Sequence, residues 1–165
     1  MSDSSRPSAH WGALALLGLA TAAAAIAGAS ASVQSAVFYQ QLSKPSWAPP
    51  AQIFGPVWSV LYVLMAVAAW MVVRAWGWPR ARPAIALYIV QLAFNGLWTW
   101  LFFRWRLGGL AFVEILVLWT LLLLIVTTFF RVRRLAGVLM LPYLGWVTFA
   151  AALTYAVWRR NPGLL

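Results

Sequence analysis

The feature that most constrains this chain is a series of five long apolar runs, at 11–33, 54–73, 83–103, 107–130 and 135–158. Four of them contain no charged residue, and the fourth along the chain contains a single acid, Glu114. Each run is roughly 20 to 24 residues long, so as a helix with a rise of about 1.5 Å per residue it matches a hydrocarbon core of about 30 Å. A barrel strand needs only about ten residues of alternating polarity. The sequence therefore predicts an all-α integral membrane bundle of five transmembrane helices.

The predicted organisation is one domain with a short tail at each end. We expect an N-terminal tail over 1–10, a transmembrane domain over 11–162 and a C-terminal tail over 163–165. The helices are expected at about 11–33, 54–76, 82–103, 107–130 and 135–158, with a loop over 34–53. The first run also fits a cleaved signal peptide that ends at Ala29-Ser30-Ala31, although it is longer than the usual apolar core of such a signal.

Composition narrows the classes of function. Hydrophobic residues make up 64% of the chain and charged residues 8%, against about 25% charged in an ordinary soluble domain. With no cysteine and one histidine, His10, no metal site and no required cofactor are expected. The two acids, Asp3 and Glu114, differ too much in setting to form an acid–base pair, so no conventional enzyme is predicted.

The basic residues are distributed between the apolar runs. This is the pattern of loop charges in a membrane protein, and it does not predict a nucleic-acid partner. Arginine strongly outnumbers lysine and alanine is abundant, which suggests a GC-rich bacterial genome. We therefore expect a multi-pass protein of a bacterial cell membrane, with the lipid bilayer as its surroundings.

The loop over 34–53 is rich in proline. Pro45, Pro49 and Pro50 fix φ and remove backbone donors, so a stiff, extended cover is expected. A loop of this length in a compact chain is often functional. One interpretation is a lid with Trp47 over the mouth of a pocket; the other is a rigid connector whose tryptophan lies at the lipid headgroups.

One face of the third predicted helix carries two amides and two aromatic residues. At about 100° per residue, its members fall on one side of the helix: Gln91, Asn95, Trp98 and Phe102. Lipid offers amides no partner, so this face must lie against protein. Two interpretations stay open, namely hydrogen bonds between helices and a pocket wall for a flat ligand with polar edges.

Aromatic residues at helical spacing recur on the second and fifth predicted helices. The residues concerned are Trp58, Tyr62, Tyr143, Trp146 and the small Ala150. Such stripes usually mark core packing or interfacial belts, but three faces of this kind favour a shared cavity. Pro142 is expected to kink the fifth helix and to free the carbonyl of Val138.

Glu114 is the only acid within the apolar runs. On insertion scales a central membrane acid costs about 2.5–3.5 kcal/mol, so it should face protein and have a partner. Arg106 in the preceding loop is one candidate partner. A structural hydrogen bond and a role in proton relay are both open.

Four motifs occur in a fixed order. They are Lys44-Pro45-Ser46-Trp47-x-Pro49-Pro50, Gly55-Pro56-Val57-Trp58-x-x-Leu61-Tyr62, Gln91-Leu92-Ala93-x-Asn95-x-x-Trp98-x-x-x-Phe102-Phe103 and Pro142-Tyr143-Leu144-x-Trp146-x-x-Phe149-Ala150. Together, over about residues 38 to 162, the chain resembles the tryptophan-rich sensory protein family, which includes the mitochondrial translocator protein (the peripheral benzodiazepine receptor).

The resemblance implies a five-helix membrane bundle, often a homodimer, with a pocket near the first loop. Members of the family bind porphyrins, sterols and synthetic ligands of the benzodiazepine type. The resemblance also implies that the pocket is lined by Trp58, Tyr62, Asn95, Trp98, Trp146 and Ala150. With the residue-based candidates added, the predicted ligand-binding set is Trp47, Trp58, Tyr62, Gln91, Asn95, Trp98, Phe102, Tyr143, Trp146 and Ala150.

The expected function is that of a membrane receptor, sensor or carrier that binds protoporphyrin IX, haem and related flat apolar ligands. One alternative is light-dependent porphyrin degradation, which some bacterial members perform and which the resemblance would assign to Trp58 and Trp146. Another is sterol binding or transport, since Leu153, Tyr155 and Arg159 fit a proposed cholesterol motif that is easily met by chance.

The chain departs from the family pattern at two positions. Thr154 stands where members typically carry asparagine, which weakens one polar contact. Arg104 follows the double phenylalanine where a small residue is usual. Glu114 resembles the family pattern of an acid in the fourth helix, where an aspartate is common.

Overall fold

The computed structural model describes residues 7–31 and 35–165. Within those ranges the chain forms six α-helices and no β-strand. The helices are α1 (Pro7–Ala31), α2 (Ser35–Gln41), α3 (Phe54–Trp76), α4 (Trp78–Thr99), α5 (Gly108–Val132) and α6 (Arg134–Arg160). A 3₁₀ turn at Ala51–Ile53 precedes α3, and a π-helical turn at Trp100–Arg104 extends α4.

Five of these helices, α1 and α3 to α6, are long and apolar enough to span a membrane. The prediction of an all-α bundle with five spans is therefore confirmed. α3 covers the predicted range, whereas α4 begins at Trp78 instead of at 82. Gly77, with a φ of 73°, ends α3 and Pro79 lies in the first turn of α4, so one glycine is enough to connect the two helices.

The expectation of an extended loop over 34–53 is wrong at both of its ends. Ser35–Gln41 is helical, because α2 buries Phe38 and Tyr39 on one face, and Ala51–Ile53 forms the 3₁₀ turn. The proline-rich part between them has no regular secondary structure. The end of the first predicted helix, at 32–33, lies outside the described residues.

In the part of the chain that the structure describes, two prolines lie in the interior of spanning helices, beyond the first turn. α4 contains Pro83 and α6 contains Pro142, and both helices continue through them. Because proline has no backbone N–H, the carbonyl of Val138 receives no helical hydrogen bond from position 142. The helix persists because packing against its neighbours compensates for that loss, and α5 and α6 form the most extensive helix pair.

Among the described residues the buried core has two parts. The larger part holds all five spanning helices together and centres on fully buried Met65, Tyr88, Leu122 and Tyr143. The smaller part closes one end of the bundle and joins the loop region to three spanning helices. Its members are Phe38, Tyr39, Leu42, Leu101, Phe102, Ala111, Leu153 and Val157.

Candidate ligand-binding site

A buried hydrogen-bond network links α3, α4 and α6. The Tyr62 hydroxyl donates to Asn95 Oδ1 at 2.8 Å, and Asn95 Nδ2 donates to the Tyr143 hydroxyl at 2.9 Å. Tyr143 in turn donates to Gln91 Oε1 at 3.0 Å. The amides predicted to face protein do so, and they meet phenols from neighbouring helices. Hydrogen bonding between helices, one of the two interpretations of this face, is thus present.

Trp58 covers this network on the α3 side. Its half-buried ring lies 5.5 Å from the ring of Tyr62 and 5.9 Å from that of Tyr143, centroid to centroid. The contact with Tyr143 is edge-on, a favoured geometry for aromatic pairs. Flat aromatic surface and amide groups are therefore adjacent.

A second aromatic group runs from the loop to α6. Phe54 lies edge-on to Trp146 at 5.8 Å, and Trp146 lies 5.5 Å from Phe149. Trp47 packs edge-on against Phe149 at 5.7 Å but stays 50% exposed. Ala150 follows on α6 and is half-buried. Trp47 is therefore the outer end of an aromatic series that reaches Trp146.

Aromatic residues at the end of α4 and in the π-helical turn form a third group. Trp98 stacks on Phe102 at 5.3 Å with an interplanar angle of 12°, and Phe103 contacts both rings. Trp98 Nε1 is buried and has no hydrogen-bond partner among the described residues. Gln91 and Asn95 belong to the phenol network, so the four residues predicted on one face serve two different clusters.

The loop is fastened to the end of α6 by Asn161. The backbone N–H of Ser43 donates to Asn161 Oδ1 at 2.8 Å, and Asn161 Nδ2 donates to the Ser43 carbonyl at 2.9 Å. The same nitrogen donates to the Val157 carbonyl at 2.7 Å. We term the Ser43–Asn161 pair the clasp.

Two further side chains hold the loop from within. Lys44 Nζ donates to the carbonyls of Tyr39 at 2.6 Å and of Leu42 at 3.0 Å. The Tyr39 hydroxyl donates to the Pro49 carbonyl at 3.0 Å. Burial raises the pKa of the Tyr39 phenol above its ordinary value, so it stays protonated and able to donate at neutral pH.

Sequence reasoning missed four residues that shape this region. Phe54 and Phe149 complete the aromatic series, and Tyr39 and Asn161 fix the loop. Phe149 stands in the fourth motif, and its position one helical turn beyond Trp146 could have added it to the predicted site. Asn161 contacts a residue 118 positions away, a pairing for which the sequence carries no local signal.

The residues of the sterol motif do not share a face. Leu153 is buried in the smaller core, whereas Tyr155 is 47% exposed and contacts Phe112 and Trp158. Arg159 is exposed. A single ligand on the outer face of α6 would therefore meet Tyr155 and Arg159 but not Leu153.

Glu114 faces protein, as expected, but lacks the expected partner. It is buried, and neither carboxyl oxygen has a hydrogen bond within the described chain. Arg106 instead lies over the ring of Phe38, 4.7 Å from its centroid. Across the described ranges, no group of three or more His, Cys, Asp or Glu residues could hold a metal ion.

Comparison with known proteins gives a consistent result. The model of the TspO/MBR family matches residues 14–159. Protein CrtK of Rhodobacter capsulatus is 40% identical over 153 residues, which cover 91% of this chain and 95% of that protein. The tryptophan-rich sensory protein of Cereibacter sphaeroides is 39% identical over 75% of this chain and 77% of its own length. The human translocator protein is 38% identical over 76% of each chain.

Proposed function

The chain belongs to the TspO/MBR family of membrane proteins, and from that premise we propose that it is a receptor, sensor or carrier for porphyrins such as protoporphyrin IX and haem. The observation that supports this most is the contact of Trp58 with the network of Tyr62, Asn95 and Tyr143. Flat apolar ligands gain most from aromatic surfaces, and a few placed polar groups orient them. A porphyrin combines such a plane with polar edges.

The composition of the site favours stacking over metal ligation. The chain has no cysteine, and its only histidine is His10. His10 lies in α1, a helix that carries none of the candidate residues. The binding energy should therefore come from the ring and not from the iron. We expect metal-free protoporphyrin IX to bind about as well as haem.

Titration of tryptophan fluorescence with each porphyrin tests this proposal. Trp58→Phe should weaken binding of both ligands several-fold, since phenylalanine offers the porphyrin a smaller apolar surface than indole and buried apolar area is worth about 25 cal/mol per Å². Trp11→Phe is the matched control, because Trp11 is 64% exposed on α1 and stacks on Trp70, away from the network. Binding that strictly requires iron would contradict the proposal.

A second candidate, light-dependent porphyrin degradation, draws support from the oxidisable rings beside Trp58. Tyr62 and Tyr143 both contact that ring, so an excited porphyrin there would have indole and phenol donors close by. Illumination of the loaded protein, followed by porphyrin absorption, separates the candidates. Decay no faster than that of free porphyrin rejects turnover and leaves the binding function.

A further inference from the structure

The contact between α3 and α6 is incomplete on the lipid side. A groove of about 480 Å³ lies between them, with Val57 and Val60 on one wall and Pro142, Gly145 and Trp146 on the other. Neither Pro142 nor Gly145 carries a long side chain, and a Cβ built on Gly145 would meet nothing within 4 Å. Both helices span the membrane at this point, so the groove opens toward lipid.

At the other candidate entrance, the loop end of the bundle, hydrogen bonds hold the loop in place. The clasp makes two hydrogen bonds of 2.8 and 2.9 Å between Ser43 and Asn161, and Tyr39 holds the Pro49 carbonyl. The smaller core lies beneath the loop, with Phe38 and Tyr39 each 5% exposed. A ligand that arrives from water meets a fixed loop, whereas one dissolved in the bilayer meets an open groove.

The groove and the candidate site share a wall. Trp146 lines the groove and also contacts Phe54 and Phe149. Tyr143, one helical turn before Trp146, touches Trp58 of α3 and belongs to the hydrogen-bond network. On α6, an aromatic residue that lines the groove and one that belongs to the network are therefore one helical turn apart.

We propose that the α3–α6 groove is a lateral portal through which a flat apolar ligand dissolved in the bilayer reaches the site, with Trp146 as its gate. This inference rests on the proposed function. The groove is of the size of known ligand pockets, about 300–1,000 Å³. Its walls are apolar, as passage of a membrane-dissolved porphyrin requires.

Filling the groove tests the portal. Gly145→Leu fills it from α6, where space is open, and Val60→Phe fills it from α3, where Val60 is 59% exposed. Protein in phosphatidylcholine nanodiscs is mixed with protoporphyrin IX, and tryptophan quenching is followed by stopped flow. The association and dissociation rate constants should both fall by about tenfold, with Kd changed less than about twofold, because an obstructed path raises the barrier without altering the end states.

Two further variants complete the design. Gly96→Leu fills the separate groove between α1 and α4, where a Cβ also meets nothing within 4 Å, and should leave both rate constants unchanged. Asn161→Ala loosens the clasp, and faster association in that variant would place the route at the loop end and overturn the portal.

The remaining outcomes separate the two proposals. Unchanged rates in both filling variants, with normal binding by the parent protein, would overturn the portal alone. A weaker Kd without slower association would make the groove part of the binding surface, which also overturns it. If protoporphyrin IX does not quench the tryptophan fluorescence of the parent protein in a saturable way, both the proposed function and the portal are overturned.

Discussion

Tyr143 is the residue on which the polar network depends. Its hydroxyl accepts from Asn95 and donates to Gln91, and it is fully buried. Tyr143→Phe leaves both amides short of a partner, so we expect a loss of about 1–3 kcal/mol in the free energy of unfolding. Thermal unfolding in detergent measures this. Tyr155→Phe is the control, since Tyr155 is 47% exposed, and equal shifts in Tm for the two variants would contradict the network.

Glu114 is a second residue whose surroundings make a specific prediction. Its two buried oxygens lack a hydrogen-bond partner in the described chain, and an unsatisfied buried polar group costs about 1–3 kcal/mol. Glu114→Leu, of similar volume, should therefore raise Tm, while Glu114→Gln keeps polar atoms in place and should gain less. A lower Tm in the leucine variant would mean that the carboxyl has a stabilising partner after all.

At the scale of elements, the clasp joins the loop to α6. Asn161→Ala removes all three side-chain hydrogen bonds, whereas Asn161→Asp keeps the acceptor for the Ser43 N–H. Hydrogen exchange at Ser43 should accelerate by up to about tenfold in the alanine variant, as expected when a bond of about 0.5–1.5 kcal/mol is lost, and by less in the aspartate variant. Full protection of Ser43 in Asn161→Ala would show that other contacts hold the loop.

The spanning helices were predictable because a run of about twenty apolar residues has no other stable arrangement in lipid. The shorter elements were not, because tertiary contacts decide them. α2 forms where Phe38 and Tyr39 meet Leu101 and Val157 in the smaller core. The π-helical turn depends on the donation from the Trp105 N–H to the Trp100 carbonyl at 2.8 Å, a local choice that hydropathy cannot reveal.

The candidate site likewise has features that the sequence predicts and others that only tertiary contacts decide. That Gln91 and Asn95 face protein follows from the cost of an unpaired amide in lipid, and this expectation holds. Which phenols form hydrogen bonds with these amides depends on the relative rotation of three helices. Periodicity along one helix does not contain that information. The assignment of these residues to ligand binding, and the homodimer that the resemblance implies, stay predictions.

At the scale of the whole molecule, the division of the core into two parts predicts that the loop can change without loss of the bundle. The larger core contains no residue between positions 34 and 53. Deletion of residues 46–50 should therefore leave the helical content measured by circular dichroism unchanged. Porphyrin affinity should fall, because the cover and the outermost ring of the aromatic series disappear together.

The variant Trp47→Ala distinguishes two roles for Trp47, namely a lid over the ligand and an anchor at the lipid headgroups. As a lid, Trp47 would be buried further by the ligand, and its loss should cost about 1–3 kcal/mol of binding free energy, the scale for one large apolar side chain. As an anchor at the headgroup level, its loss should lower thermal stability alone. Its 50% exposure leaves part of the Trp47 side chain for a ligand to bury. Fluorescence titration and thermal unfolding of the same variant decide the matter, and unchanged affinity with a lower Tm would rule out the lid.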